Sequence, residues 1–309
     1  MDKNSKEKNF ISAVVYCHND ASSIGDFIKH LDHTLAENFL KYEIIVVNDA
    51  STDESVDIVK AYAAHKEGLV ISILNMSYYQ GLEASMNAGV NLSIGDFVYE
   101  FDAAYADFDW DILIRVYRHS LSGYDIVSAR INQNPRLFSR LFYKVFNRYA
   151  KLQHKIGIET FRILSRRGIN RIHNITQSIP FRKAAYANCG LAVDTLTYSP
   201  VNKVIRKHHD DRSRVAIDSL ILFTDVAYRV TVGLALLMLL ISVIMAIYAL
   251  TYWVYESPVE GWTTTILFMA FGFCGLFAIF AMVIKYLQTL VNLSFKKKDY
   301  LFESIIKLQ

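Results

Sequence analysis

The chain has 309 residues, of which 52% are hydrophobic and 20% charged, and its mean hydropathy is +0.19. A formal net charge of +3 is too small to indicate a nucleic-acid-binding protein. The three cysteines, Cys17, Cys189 and Cys274, include no Cys-x-x-Cys pair, which argues against a disulfide framework or a zinc site.

Strand-length apolar runs alternate with helical patterns through the first 130 residues. The predicted strands are residues 11–17, 42–48, 69–74, 96–101 and 125–129, and the predicted helices are 24–35, 56–62, 81–93 and 110–121. Because the strands are apolar throughout, the pattern predicts an α/β fold with a mostly parallel sheet and helices on both faces.

Several common motifs are absent from the sequence. No Gly-x-Gly-x-x-Gly follows the first strand, and no Gly-x-x-x-x-Gly-Lys-Ser/Thr, His-Glu-x-x-His or Gly-x-Ser-x-Gly occurs. Dinucleotide oxidoreductases, P-loop enzymes, zinc peptidases and serine hydrolases are therefore disfavoured.

Two predicted strands end in an aspartate, Asp49 after the second strand and Asp102 after the fourth. Open α/β sheets bind ligands at the carboxyl ends of their strands, where an acid can hold a ribose hydroxyl or a metal-bound diphosphate. These two strand ends are the best candidates for a site.

Basic residues recur every four positions further along the chain, at Arg136, Arg140, Lys144 and Arg148. On a helix they share one side, with apolar residues filling the rest. One interpretation is a solvated face of a packed helix. The other is an interfacial helix whose cations meet lipid headgroups.

Two long uncharged stretches lie near the C-terminus, between Arg229 and Glu256 and between Glu260 and Lys285. Each exceeds the roughly 20 residues that cross a bilayer, so they predict transmembrane helices at about 230–253 and 262–284. A buried hairpin of a soluble core is the alternative. The basic flanks predict that both termini are cytoplasmic, and the N-terminal residues lack the apolar core of a signal peptide.

These features divide the chain into four predicted parts. Residues 1–212 form a cytoplasmic domain, 213–229 an amphipathic interfacial helix, 230–287 the two membrane helices, and 288–309 a basic cytoplasmic tail. Within the tail, the apolar residues Leu301, Phe302, Ile305 and Ile306 suggest a short surface helix.

Four motifs in the first half resemble the successive signatures of glycosyltransferase family 2. They are residues 13–20 (AVVYCHND), 43–53 (EIIVVNDASTD), 80–89 (QGLEASMNAG) and 95–102 (GDFVYEFD). Residues 139–148 (SRLFYKVFNR), residues 161–167 (FRILSRR) and the predicted membrane pair are similar to polyprenyl-phosphate glycosyltransferases, the bacterial relatives of dolichol-phosphate mannose synthase.

The resemblance implies a GT-A fold and a membrane-bound, inverting transferase in the cell membrane. Such an enzyme passes a sugar from a UDP- or GDP-linked donor to a polyprenyl (undecaprenyl) phosphate for cell-envelope glycan synthesis. Its implied partners are the nucleotide sugar, the polyprenyl phosphate and membrane lipids, with a homo-oligomer possible and no nucleic acid.

The resemblance also assigns roles to residues. The nucleotide sugar would be bound by Asp20, Asn48, Asp49, Gln80 and Asp102. Asp102 would face the diphosphate and a divalent metal, Mg²⁺ or Mn²⁺, with Asp107 as a second metal ligand. Arg162 would meet the charge of the leaving group. The lipid phosphate would be bound by Arg136, Arg140, Lys144, Arg148 and Arg166.

Two positions depart from the lipid-phosphate branch. Ala104 stands where that branch has a second acid, and Thr160 stands where it has a candidate catalytic base, which leaves Glu159 as a displaced substitute. A phosphate acceptor is mostly dianionic at pH 7 and needs little help from a base. The departures leave two alternatives open: a nucleotide-sugar-binding membrane partner with impaired catalysis, and a family 2 transferase with a different acceptor.

Overall fold

The computed structural model describes residues 6–66, 68–133, 137–149, 153–175, 181–201 and 300–308, together with separate residues between 230 and 290. The chain divides into two compact units. The first comprises Met1–Asn147, Leu152–Val215 and Lys297–Gln309, and the second comprises Arg148–Lys151 and Ala216–Lys296.

Strands and helices alternate along the described chain, as the apolar periodicity predicts. The strands are β1 (Glu7–Cys17), β2 (Phe39–Asn48), β3 (Ile71–Met76), β4 (Phe97–Phe101), β5 (Ile126–Ile131), β6 (Glu159–Ser165), β7 (Val193–Tyr198) and β8 (Phe302–Leu308). The helices are α1 (Ile24–Asn38), α2 (Ser55–Ala64), α3 (Leu82–Leu92), α4 (Asp111–Leu121), α5 (Leu137–Tyr149), α6 (Arg166–Ile175) and α7 (Arg182–Ala187).

The eight strands form one sheet in the order β7-β5-β6-β4-β1-β2-β3-β8. β1 to β4 run parallel, and β7 is parallel to β5. β6 is antiparallel to β4 and β5, and β8 is antiparallel to β3. The start of β6 therefore lies at the same edge of the sheet as the carboxyl ends of β1 to β4.

Apolar side chains cover both faces of this sheet. On one face, the buried residues of α1, α2 and α4 pack against alternate residues of β1, β2 and β4. On the other, α3, α6 and α7 pack against the intervening residues. Helix α3 approaches closely because Gly89 has no side chain: a Cβ there would collide with Val14 and Val47. Strands buried on both faces explain the continuous apolar runs.

The predicted α/β sheet with helices on both faces is confirmed, and the predicted basic helix is α5. Two strands, β6 and β7, were not predicted. The predicted surface helix at the C-terminus is wrong, because this segment is strand β8. Its side chains alternate between the two faces: Ile306 and Leu308 pack on the core, whereas Ile305 is more than a third exposed.

The described residues of the second unit between 230 and 290 are helical, apart from Gly261. Among the residues that the structure describes, no helix is both long enough and apolar enough to cross a membrane. The predicted interfacial helix at 213–229 and most of the predicted membrane hairpin lie outside the described residues.

Candidate active site

The loops that follow β1 and β2 join at the carboxyl edge of the sheet. The backbone N–H of Asn19 donates to Ser51 Oγ (3.1 Å), and the backbone N–H of Thr52 donates to Asn19 Oδ1 (2.8 Å). Asn19 and Ala50 have positive φ angles of 54° and 52°, a conformation that is uncommon outside glycine. Strain of this kind persists where surrounding contacts enforce it, and it is often found at functional sites.

Asp49 connects these loops to the loop that follows β3. Its carboxylate is fully buried and accepts hydrogen bonds from Tyr16 Oη (2.9 Å) and from the backbone N–H groups of Gln80 and Gly81, both at 2.8 Å. Gly81 has a φ of 85°, which suits glycine at the turn into α3. Both carboxylate oxygens of the predicted ribose ligand thus have partners within the protein.

The other predicted nucleotide ligands lie at the same edge. Asp20 is buried, and one of its carboxylate oxygens accepts from the His18 N–H (3.2 Å). The Asn48 side chain donates to Asn75 Oδ1 (2.9 Å) and accepts from the Ser51 N–H (3.0 Å). The structure therefore brings Asp20, Asn48, Asp49 and Gln80 together, and it shows the protein contacts that each already makes.

Asp102 lies beside them at the end of β4, in contact with two guanidinium groups. Arg162 Nη2 donates to Asp102 Oδ2 (3.0 Å), and Arg182 Nη2 donates to Asp102 Oδ1 (2.8 Å). Both arginines are buried, and 16% of the Asp102 side chain is exposed. Arg162 reaches Asp102 because β6 is antiparallel to β4, which pairs Arg162 with Glu100 in register.

Further acids complete this buried cluster. Glu100 binds Arg162 Nη1 (2.7 Å) and Arg182 Nη1 (2.9 Å), and it accepts a hydrogen bond from Tyr186 Oη (2.5 Å). Glu83 accepts from both the backbone N–H and the Nε of Arg182, at 2.8 and 3.0 Å. We call Glu83, Glu100, Asp102, Arg162 and Arg182 the charged cluster.

Asp102 and the two arginines of the charged cluster stabilise one another's charged forms. Burial alone would raise the pKa of the Asp102 carboxyl, but Arg162 and Arg182 hold that pKa well below its usual range. Burial alone would lower the pKa of Arg162, but Asp102 and Glu100 raise it. At neutral pH Asp102 is therefore ionised, and Arg162 is a guanidinium cation.

Glu159, the predicted substitute base, stands at the start of β6. Its Oε2 lies 3.8 Å from Arg162 Nη2, and its side chain is largely buried. It borders a cleft of about 170 Å³ that Lys183 also lines. This cleft is smaller than the roughly 300–1,000 Å³ of typical ligand pockets. Thr160 forms a hydrogen bond of 2.5 Å with the hydroxyl of Tyr198.

The predicted metal ligands, Asp102 and Asp107, each contact other side chains of the protein. Asp102 binds two guanidinium groups, and Asp107 Oδ1 accepts a hydrogen bond from Tyr198 Oη (2.6 Å). Ala104, at the position of the missing acid, is fully buried. Within the described ranges no group of three or more His, Cys, Asp and Glu residues could hold a metal ion. Mg²⁺ is usually held by one or two carboxylates together with substrate phosphates and water, so a divalent ion at Asp102 would depend on the diphosphate of the donor for its other ligands.

The residues predicted to bind the lipid phosphate separate into two locations. Arg140, Lys144 and Arg148 are exposed on α5, and Arg136 lies outside the described residues. Arg166 is elsewhere: its Nη2 and Nε donate to the carbonyl of Gly95, at 2.6 and 3.0 Å. Gly95 precedes β4, whereas Asp102 follows it. Because β6 runs antiparallel to β4, Arg162 lies near the carboxyl end of β4 and Arg166 lies near its amino end. The structure thus does not group Arg166 with the other predicted phosphate ligands.

Glu83, Glu100, Arg182 and Tyr186 were not identified from the sequence. One signal was available, because a glutamate in the apolar strand FVYEF requires a buried cationic partner. The identity of that partner was not readable. Arg182 is 99 residues from Glu83 along the chain and follows a segment that lacks a clear motif.

The family model for glycosyl transferase family 2 matches residues 12–184, which contain every member of the charged cluster. The chain belongs to this family. Among solved structures, glucosyl-3-phosphoglycerate synthase from Mycobacterium tuberculosis superposes with a TM-score of 0.50 at 15% identity, over 70% of this chain and 80% of that one. This likeness confirms the predicted fold of the GT-A type.

Another solved structure is that of a mannosyltransferase from Pyrobaculum calidifontis in complex with GDP-Man and Mn²⁺. It shares 16% identity and covers 91% of this chain and 88% of that one, with a TM-score of 0.47.

Curated relatives match parts of the chain. An "uncharacterized glycosyltransferase" of Synechocystis sp. is 27% identical over 58% of this chain and 58% of its own length. The undecaprenyl-phosphate 4-deoxy-4-formamido-L-arabinose transferase of Pseudomonas fluorescens is 31% identical over 48% of this chain and 43% of its own length. The chain thus spans about half the length of these two relatives.

Proposed function

We propose that this protein transfers a sugar from a nucleotide sugar to a polyprenyl phosphate, with inversion at the anomeric carbon. The observation that carries the proposal is the charged cluster, which adjoins the loops holding Asp20 and Asp49 at the carboxyl edge of the sheet. The name of the Pseudomonas fluorescens relative supports undecaprenyl phosphate as the acceptor.

In the proposed reaction, an oxygen of the acceptor phosphate forms a bond to the anomeric carbon. The bond between that carbon and the donor diphosphate breaks, and the electron pair leaves with the nucleoside diphosphate. Guanidinium groups stabilise such charge through bidentate contacts, a role we assign to Arg162 and Arg182. Asp102 and Glu100 orient these cations. Because the acceptor is already dianionic, no proton has to be removed in this step.

We further propose that the second unit anchors the protein in the cell membrane through the helices at 230–253 and 262–284. Large apolar side chains are exposed along this unit, including Leu240, Phe280 and Leu290, each more than half exposed. Exposed apolar surface of this extent is typical of membrane or protein contacts. Gly275 contacts Met238 so closely that a Cβ would collide with it, as expected where two membrane helices pack through a small residue.

A second candidate function is a membrane protein that binds nucleotide sugars without catalysis. Two observations favour it: Ala104 replaces an acid at the diphosphate end of β4, and Thr160, in place of the candidate base, is engaged with Tyr198. A family 2 transferase with a different acceptor is the third possibility. The support for the lipid acceptor comes from the names of relatives and not from a contact within this protein.

An assay of the purified full chain in lipid nanodiscs distinguishes these functions. UDP- and GDP-linked sugars are supplied with undecaprenyl phosphate in Mg²⁺, in Mn²⁺ or in EDTA, and both the lipid-linked sugar and the free nucleoside diphosphate are measured. We expect lipid-dependent release of nucleoside diphosphate. Nucleotide binding without transfer would favour the binding protein, and release that is independent of the lipid would favour another acceptor. Activity that persists in EDTA would indicate a reaction that needs no divalent metal, and activity that is lost in EDTA would indicate that the metal is required.

A further inference from the structure

The last residues of the chain complete the sheet next to the nucleotide loops. Strand β8 pairs with β3 in a register that places Ile305 opposite Leu74 and Ser304 opposite Asn75. Just before β8, Tyr300 Oη accepts a hydrogen bond from Asn91 Nδ2 on α3 (2.9 Å). We call residues 300–308 the C-terminal strand segment. It belongs to the first unit, although more than 80 residues of the second unit precede it.

This segment binds the side chain of Gln80, which the sequence predicts to be a nucleotide ligand. The Leu301 N–H donates to Gln80 Oε1 (2.9 Å), and Gln80 Nε2 donates to the Leu301 carbonyl. The Ser77 N–H donates to the same carbonyl (3.2 Å). Both the donor and the acceptor of the Gln80 amide are therefore engaged by the backbone of Leu301.

The contact extends from Gln80 to the buried acid at the end of β2. The backbone N–H groups of Gln80 and Gly81 hold the two oxygens of Asp49. A loop fixed at one end by Leu301 thus presents its amides to Asp49, which is the first residue of the loop that follows β2.

A second path leads from the C-terminal strand segment to the same loops. Asn75 Nδ2 donates to Ser304 Oγ (3.0 Å), Asn48 Nδ2 donates to Asn75 Oδ1 (2.9 Å), and the Ser51 N–H donates to Asn48 Oδ1 (3.0 Å). Two predicted nucleotide ligands, Asn48 and Gln80, are therefore each connected to the C-terminal strand segment through side-chain hydrogen bonds.

We propose that the C-terminal strand segment positions the donor-binding loops, and that Gln80 acts as a positioning residue through Leu301 instead of contacting the nucleotide. The inference rests on the proposed function, since it concerns the site of the nucleotide sugar. It assigns a role to residues at the far end of the chain, beyond the family match at 12–184.

The test separates positioning from ligand binding with a double-mutant cycle in the full chain. Gln80→Ala removes the side-chain amide. Leu301→Pro removes the backbone N–H that donates to Gln80 Oε1 and leaves the glutamine side chain in place. If Gln80 contacts the nucleotide, Leu301→Pro releases its side-chain oxygen and affinity does not fall. If Gln80 positions the loop, both variants weaken binding and the double variant adds little to Gln80→Ala.

Two measurements are made on each variant. The first is titration of the protein with UDP and with GDP. For the nucleotide that binds the unmodified chain, we expect the Kd to rise about three- to tenfold in both single variants. This is the change expected for the loss of one or two hydrogen bonds. The second is hydrogen exchange at the backbone amides of residues 77–81, which should become faster in both. Asn91→Ala is the matched control: it removes a side-chain bond to Tyr300, and we expect neither quantity to change.

The outcomes are distinct. Weaker binding in Gln80→Ala alone would overturn the inference and make Gln80 a ligand. Equal changes in Asn91→Ala would overturn it in favour of general stabilisation by the strand. Failure of both UDP and GDP to bind the unmodified chain would overturn the proposed function and, with it, this inference. Should Leu301→Pro not fold, Ser304→Ala interrupts the second path and is measured in the same way, with unchanged exchange at residue 51 counting against the proposal.

Discussion

Each charged side chain of the charged cluster is stabilised by its partners in the cluster, because burial separates it from water. Asp102 is held by two guanidinium groups, and each of these also contacts Glu100. A buried ion pair adds little net stability, but removing one partner leaves an uncompensated buried charge. Substitutions in the cluster therefore report on folding as well as on catalysis, and stability has to be measured beside activity.

Asp102→Asn is expected to lower the free energy of unfolding by about 3 kcal/mol at pH 7, since it leaves two arginines with one fewer carboxylate. The Asp102 pKa is lowered on folding, so its stabilising effect is full above the unfolded value of 3.8 and is lost as the pH falls toward the folded value. Urea unfolding of both proteins between pH 7 and pH 3 measures this, and the difference should shrink below about pH 4.

Asp57→Asn serves as the control for that series. Asp57 pairs with Lys60 on the exposed surface of α2, where ion pairs contribute little. A constant difference between Asp102→Asn and the unmodified chain down to pH 3 would contradict the assigned pKa direction.

Glu159→Gln tests whether the reaction needs a base. With a phosphate acceptor we expect kcat to fall less than tenfold, because the attacking oxygen carries no proton that must be removed, whereas a required base contributes roughly 10²- to 10⁴-fold. The measurement is the initial rate of lipid-linked sugar formation. Arg162→Gln, which removes a cation, should abolish the formation of lipid-linked sugar. Complete inactivity of Glu159→Gln would rule out the base-free reaction.

At the scale of helices and strands, the first half of the fold was readable from the sequence. β1 to β4 are apolar runs and the helices between them keep one apolar face, so burial on both faces of the sheet leaves a clear signal. β6 was hidden because it carries Arg162 in its interior. β8 was misread because Ile305 and Ile306 are adjacent, a pattern that also suits a helix, and its pairing with β3 spans more than 220 residues.

The candidate site was readable only where a motif marks it. Asp20, Asp49 and Asp102 follow predicted strands, so their common edge could be inferred. Contacts of Arg182 with Glu83 and of Gln80 with Leu301 join distant segments. No local pattern encodes such pairs, since only the completed sheet brings them together.

Helix α5 is the element on which we predict contact with the lipid acceptor. Replacing Arg140 and Lys144 together by alanine should raise the KM for undecaprenyl phosphate by up to about 30-fold and leave UDP or GDP affinity unchanged, because each basic residue near an anionic surface contributes about 1 kcal/mol. Both side chains are exposed, so stability should be preserved. The matched control is Arg115→Ala with Arg118→Ala, two exposed cations on α4. Equal effects of the two double variants would indicate an ordinary solvated face.

At the scale of the whole molecule, we predict that the full chain is an integral membrane protein. The uncharged stretches around residues 230–253 and 262–284 should keep it in the membrane fraction after washing with high salt and alkaline carbonate. Peripheral attachment through basic residues would be reversed by these washes, because salt screens such contacts. Immunoblotting of the washed membranes provides the measurement, and release into the supernatant would contradict the proposed anchor.

The position of β8 also bears on the order in which the protein matures. β3 is synthesised early, whereas β8, its neighbour at the sheet edge, follows it by more than 220 residues. Until β8 has been made, this edge of β3 is unpaired, and the Gln80 loop has no Leu301 to bind. The donor site of a nascent chain is therefore incomplete until β8 emerges from the ribosome. The sheet gains its eighth strand only after every residue of the second unit has been made.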